Sequence, residues 1–190
     1  MKGTMMQFPL TLRPLLERAE KLFPNVEIVS SRPDNSIHRY TYGEMSRRAR
    51  SLAAVLQSAG LERGDRIASL MWNHYVHLEA YFGVPCAGGV LHTLNLRLHP
   101  DELAYIINHA QDRFLIVDDA LMHLFEQLQN KVKFERVFVV RSVGNPCPQL
   151  SNITKRCCGT IAVFRSIRIS TKTMPPPCAT PRARRENLKG

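Results

Sequence analysis

The stretch "NHYVHLE" places His74 and His77 three residues apart, with Glu79 close behind. On a helix that spacing puts both imidazoles on one side, and with a carboxylate near them the set could hold a metal ion. A metal site also needs further ligands and an outer ring of partners to orient them. The simpler reading, a polar face or packed histidines, is therefore preferred. A few residues on, "CAGG" ends in Gly88 and Gly89. It is too short for the G-x-G-x-x-G turn that cradles a dinucleotide, and close helix–strand packing accounts better for its glycines. Cys86 sits in an apolar helical run and reads as a small buried residue rather than a nucleophile.

The other candidate chemistry is electrostatic. The net charge of +10 is unevenly distributed: residues 1–140 hold 16 Lys+Arg against 15 Asp+Glu (+1), and residues 141–190 hold 10 against Glu186 alone (+9). The closing "PPPCATPRARRENLKG" could therefore lie along a phosphate backbone, with steep salt dependence. It lacks interleaved aromatics and any nucleic-acid-binding module, which disfavours a nucleic-acid partner. Cys147, Cys157, Cys158 and Cys178 match no zinc spacing, and an odd total of 5 cysteines argues against a disulfide framework. The first residues lack the apolar run of a signal peptide, and no later run reaches membrane-spanning length. A reducing cytoplasm is the expected compartment.

The elements that must position these residues alternate along residues 1–140. "VEIVS" and "IHRYTY" predict short strands around the turn-forming "SRPDNS". Thr41 and Glu44 have capping-box spacing and open a helix whose Met45, Ala49, Leu52, Ala53 and Leu56 share a face. Gly60 is placed to end it in the left-handed conformation. "DRIASLMW", "VLHTLN", "RFLIVDD" and "RVFVV" predict strands. Between them, "NHYVHLEAYFGVPCAGG", interrupted near its end by Pro85, "PDELAYIINHA" and "ALMHLFEQLQNKV" predict helices. Strands separated by helices imply an α/β fold, a mainly parallel sheet with helices on both faces. After Val140 no sustained period is visible, so residues 141–190 are expected to form a basic, irregular tail.

From "RIASLMWNHYVHLEAYFGVPCAGGVLHTLNLRLHPDELAYIINHAQDRFLIVDD", and from the earlier "VEIVSSRPDNSIHRYTYGEMSRRARSLAAVLQSAGLERGDR", the chain resembles the N-terminal part of medium- and long-chain fatty-acyl-CoA ligases of the adenylate-forming superfamily. The resemblance runs from about Met5 to Val140 and implies that residues 1–140 are an incomplete N-terminal part of that superfamily's large domain. It also implies a two-step reaction. A fatty acid and ATP, with Mg²⁺, give acyl-adenylate and pyrophosphate, and the thiol of CoA then displaces AMP. Such ligases resemble one another in an Asn-x-Arg-Leu turn whose arginine lies near the CoA nucleotide. Arg97 of "LNLRLHPDEL" matches it, and a guanidinium suits phosphate. An ion pair across the turn is the competing role for Arg97. Trp72 and Asn73 also match the family pattern and are assigned to packing and helix capping. The same region can contribute a dimer surface in the family, so a homodimerisation module is the alternative function.

The family's phosphate-binding loop, typically YTSGTTG followed by PKG, is expected soon after Val140 and does not occur in the chain. A change of reading frame would account for this. Pairing the third base of each codon from Met174 to Gly190 with the first two of the next permits "AATMCYTSGTTGEPKG". Ile153 to Cys158 similarly permits "YEELL". The basic tail is thus read as an out-of-frame counterpart of the phosphate loop, and the chain as a truncated ligase with no productive ATP, Mg²⁺ or CoA site of its own. No catalytic or metal-binding residue is assigned.

Overall fold

The computed structural model describes residues 10–32 and 35–141, together with the backbone of 160–164. Helix α1 (Arg13–Leu22) comes first, followed by strands β1 (Glu27–Ser31) and β2 (Ile37–Thr41). The two strands pair antiparallel, Glu27 opposite Thr41 and Ser31 opposite Ile37, as a separate hairpin. Helix α2 (Tyr42–Ser58) opens on the expected capping box: the Thr41 side chain accepts from the Glu44 N–H, and the Glu44 carboxylate accepts from the Thr41 N–H. Its buried residues include Met45, Ala49, Leu52, Ala53 and Leu56, the predicted face. Gly60 follows with φ of 91°, as a helix stop requires.

The remaining elements are β3 (Arg66–Leu70), α3 (Tyr75–Ala87), β4 (Val90–Thr93), α4 (Pro100–Ala110), β5 (Phe114–Asp118), α5 (Met122–Leu128), β6 (Arg136–Val140) and β7 (Thr160–Phe164). A short 3₁₀ turn over Asp119–Leu121 leads into α5. The sheet is parallel, in the order β4-β3-β5-β6-β7. Strand side chains alternate between its faces. Ala68, Leu70, Leu115, Val117, Val137 and Val139 pack in one core with α4 and α5 residues such as Leu103, Ile107 and Phe125. Ile67, Phe114, Ile116 and Phe138 pack in another with Leu52, Leu56, Ala80 and Val84 of α2 and α3. Every residue of β5 is buried, as an interior parallel strand with both faces covered demands. A third cluster of four buried residues, Leu16, Tyr40, Met45 and Ala49, joins α1 and the hairpin to α2.

Pro85 does not stop α3, which continues to Ala87; Gly88 then ends it with φ of 99°. The packing expected of "CAGG" belongs to Gly89, where an added Cβ would meet Leu61, Val84 and the Asp65 carbonyl at 3.2–3.3 Å. A tighter contact falls earlier, at Gly83. A Cβ there would stand 2.9 Å from both the Ala49 carbonyl oxygen and Leu52 Cδ2. Glycine therefore sets how closely α3 approaches α2.

Two features depart from expectation. Helix α1 was not predicted, although Pro14 in its first turn and buried Leu16 mark it. Residues 141–190 were expected to be irregular, yet Thr160–Phe164 form an edge strand whose Val140–Phe164 register extends β6. "TIAVF" is short, apolar and rich in β-branched and aromatic residues, which suits a strand even without a periodic neighbourhood.

Candidate functional site

In a parallel sheet with helices on both faces, ligands bind beyond the carboxyl ends of strands, where neighbouring connections leave to opposite faces. That divergence occurs around β3. Its connection leads to α3, in the core that contains α2, whereas β4 and β5 lead to α4 and α5 in the opposite core. The candidate site is therefore formed by the turn after β3 (Met71–His74), the turn after β4 (Leu94–His99) and the end of β5.

Asp118 organises this edge. Its buried carboxylate accepts the Trp72 backbone N–H at 2.8 Å, and His74 Nε2 lies 3.0 Å from both of its oxygens. His74 Nδ1 accepts from the Val76 N–H at 3.2 Å, so Nε2 carries the proton that faces Asp118. The carboxylate thereby ties the end of β5 to the turn after β3 and closes the gap between them. Its sequence signal was the acid at the end of the apolar run "FLIVD", a place where a charge requires a partner.

The histidine pair and Glu79 do not converge. His77 Nε2 lies 3.1 Å from the Ser69 hydroxyl, and burial, followed by the influence of His74, holds its imidazole below its ordinary pKa. Glu79 receives Arg48 through two contacts, Nε to Oε1 at 2.5 Å and Nη2 to Oε2 at 3.3 Å. Burial pushes the Glu79 carboxyl upward, and Arg48 draws it back only in part. Among the described residues no cluster of three or more His, Cys, Asp or Glu could hold a metal ion. Cys86 is half-buried in α3.

The assignments of Trp72 and Asn73 require correction. Trp72 is not packed away: it remains 54% exposed at the carboxyl end of β3. Asn73 does not cap α3; His74 occupies that position. The α4 N-terminus follows the same pattern, with His99 Nδ1 accepting from the Asp101 N–H at 3.3 Å and Glu102 completing the box. Imidazole caps were missed because Ser, Thr, Asp and Asn dominate that role.

Arg97 is exposed in the turn after β4. Its backbone N–H donates to Asn95 Oδ1 at 3.1 Å, which pins the turn, and the Leu98 N–H donates to the Asn95 carbonyl at 3.2 Å. Among the described residues the guanidinium makes no ion pair, so the competing pairing across the turn is not formed there. No helix of the described residues is long and apolar enough to cross a membrane.

Comparison with known proteins matches this architecture. The AMP-binding enzyme family matches residues 16–167, beyond the Val140 limit of the sequence resemblance. A long-chain-fatty-acid–CoA ligase of Thermus thermophilus is 48% identical over 144 residues, which is 76% of this chain and 27% of that protein. A medium-chain-fatty-acid–CoA ligase of Ectopseudomonas oleovorans is 34% identical over 162 residues, 85% of this chain and 29% of that protein. The chain thus spans under a third of the length of these curated relatives. The crystal structure of an anthranilate CoA ligase in complex with anthranoyl-AMP shares the fold, with a TM-score of 0.62 at 24% identity, covering 70% of this chain and 25% of that one. In sequence and architecture alike, the chain belongs to the AMP-binding enzyme family.

Proposed function

We propose that this chain supplies the N-terminal part of an AMP-forming fatty-acid–CoA ligase. The observation that carries the reading is the 48% identity over 144 residues to a long-chain-fatty-acid–CoA ligase. In that reaction ATP activates the carboxylate as an acyl-adenylate, and the thiol of CoA then displaces AMP. Two anions must meet in the first step, which calls for phosphate-binding groups and Mg²⁺. No group of three or more His, Cys, Asp or Glu among the described residues could hold a metal ion, so no residue of this chain is proposed as its ligand.

Arg97 is the group of this chain proposed to touch substrate. It is exposed and pinned by its own turn, and it is proposed to bind a phosphate of the CoA nucleotide. The carboxylate chemistry is proposed to belong to elements other than those described, and the 190-residue chain alone to be inactive. The cytoplasm is the proposed compartment. The tail is proposed to result from a frame change after Val140, with "TSGTTGEPKG" as its in-frame counterpart.

The test compares two proteins given ATP, Mg²⁺, CoA and either octanoate or palmitate. The 190-residue chain should release no pyrophosphate above background, and the product of the frame-restored gene should release it. Robust turnover by the 190-residue chain would overturn the inactivity, and a frame-restored protein without turnover would overturn the ligase reading. In the active protein, Arg97→Ala should raise the KM for CoA by roughly tenfold to hundredfold, from the loss of one charge-assisted contact. Acyl-adenylate formation should be nearly unchanged.

A further inference from the structure

Tyr75, the first residue of α3, is where the N-terminal hairpin meets that helix. Its N–H donates to the Ser30 hydroxyl of β1 at 3.0 Å, and its carbonyl accepts from the Tyr40 hydroxyl of β2 at 3.4 Å. Its ring carries His38 of β2 at a centroid separation of 4.0 Å and an interplanar angle of 40°. The guanidinium of Arg32, just past β1, lies 5.9 Å from the ring centroid, and that of Arg48 on α2 lies 5.3 Å from it. Among the described residues the hairpin has no ladder bond to the parallel sheet, so its hold on α3 rests on this cluster.

The charge state of His38 is set by these neighbours. Arg32 Nη2 stands 2.8 Å from His38 Nδ1. A guanidinium can only donate, so Nδ1 accepts, and the imidazole is neutral with its proton on Nε2. That Nε2 is buried and has no hydrogen-bond partner among the described residues. A proton added at Nδ1 would turn the acceptor facing Arg32 into a donor. It would also bring a third positive charge to a ring that already carries two guanidinium groups. Glu44 on α2 is the carboxylate that opposes this, while Glu79 is committed to Arg48. Burial first, then Arg32 and Arg48, accordingly hold the His38 imidazole below its ordinary pKa. The Tyr75 face would attract an imidazolium, but that face is shared with both arginines.

We infer that His38 is a proton-operated latch: neutral, it holds the hairpin against α3 through Arg32 and Tyr75, and protonated, it expels Arg32 and releases the hairpin while the parallel sheet stays folded. The sign follows from linkage. With the hairpin open, the imidazole takes a proton at its ordinary value near 6.5, whereas the closed form resists it. The closed form is therefore favoured above that pH and loses ground as the pH falls through it. Between pH 7.5 and 5.5 the opening constant can rise by at most about tenfold, the factor set by protonation of a free imidazole. Release uncovers Leu16, Tyr40 and Met45 of the third cluster. None of this depends on the ligase reading.

Hydrogen exchange tests the latch. The 190-residue chain is placed in deuterium at pH 7.5 and 5.5, and exchange of the β1 and β2 amides is read by mass spectrometry, corrected for the intrinsic effect of pH. The hairpin opening constant should rise severalfold at the lower pH, up to about tenfold, with β3 and β5 still the better protected. His38→Gln keeps a carbonyl acceptor for Arg32 and cannot titrate. Checked for folding by circular dichroism, it should open equally at both pH values. His77→Gln removes the other described imidazole held below its ordinary value and should keep the parental dependence. In parallel, the His38 Cε1 proton of the parent, assigned by through-bond NMR, should titrate with a midpoint below 6.5. Hairpin opening that does not change with pH overturns the proposal, as does a His38 midpoint at or above the ordinary value. A pH dependence that survives in His38→Gln, or vanishes in His77→Gln, overturns it too. Should His38→Gln fail to fold, the parental exchange and the His38 midpoint still decide.

Discussion

Glu79→Leu tests how the helical layer over the sheet is held. Glu79 is 1% exposed and Arg48 13%, and their two contacts span α2 and α3. Removing one partner of a buried pair strands the other charge, at a typical cost of about 3–5 kcal/mol. Here the stranded group is Arg48, which retains the Tyr75 ring 5.3 Å below it and a recess lined by Tyr75, Val76, Phe138 and Val140. A cation–π contact and partial access to water both soften the penalty, which places the expected loss near the lower bound, about 3 kcal/mol. Arg48→Met should cost about as much at neutral pH, because it leaves a carboxylate that burial already disfavours. That variant should recover relative to the parent as the pH falls, since the stranded Glu79 can accept a proton. The double variant Arg48→Met/Glu79→Leu fills the space with apolar groups and should return to within about 1 kcal/mol of the parent. Urea denaturation of the four proteins, followed by circular dichroism, gives the full cycle. A Glu79→Leu protein within about 1 kcal/mol of the parent would refute the reasoning, as would a double variant as unstable as the two single losses added together.

Gly83→Ala should destabilise despite alanine's better helix propensity, which favours it by about 1 kcal/mol. The new Cβ would meet the Ala49 carbonyl oxygen at 2.9 Å, a backbone atom that cannot rotate away, so a net loss of about 1–2 kcal/mol is expected in the same urea assay. Glu20→Gln should lower stability at neutral pH, because hydrogen bonding to Arg50 holds the Glu20 carboxyl below the ordinary glutamate range near 4.5. A depressed carboxylate contributes stability above its unfolded pKa and loses it as the pH falls. The gap between parent and variant should therefore close below about pH 4.5, and a gap independent of pH would contradict the assignment. His77→Gln should flatten the decline in parental stability as the pH drops below about 6.5, because a buried imidazole resists the proton that the unfolded chain accepts. Denaturation curves on either side of that pH would measure it.

Much of the scaffold was legible because local chemistry and burial pointed the same way. Thr41 with Glu44, Pro100 before two acids, and the uninterrupted run Phe114–Asp118 each satisfy a backbone requirement that their neighbours also need. The departures come where a partner distant in sequence decides the outcome. Asp118 bonds a turn 46 residues earlier, and no local spacing announces that contact. Trp72 looks like a packing residue by type, and only the arrangement of neighbouring turns leaves it open. Strand β7 is five residues within an aperiodic stretch, and its place depends on the free edge of β6. Arg97 could be singled out only by resemblance, since an exposed arginine in a turn carries no physical signature of its own ligand.

The modest third cluster has a consequence for how the protein opens. Among the described residues, four buried side chains hold α1 and the hairpin, against sixteen and twelve in the cores flanking the parallel sheet. Among the described residues the two hairpin strands also pair only with each other, and no ladder bond links them to the larger sheet. Cooperative units that bury little apolar surface separate at lower free energy than the global transition. Amide protons of β1, β2 and α1 should accordingly exchange with solvent deuterium through a partial opening that leaves β3 and β5 protected. The N-terminal layer then behaves as a hinged cover on a more durable body, able to detach and reseat while the carboxyl edge that carries Trp72 and Asp118 keeps its shape.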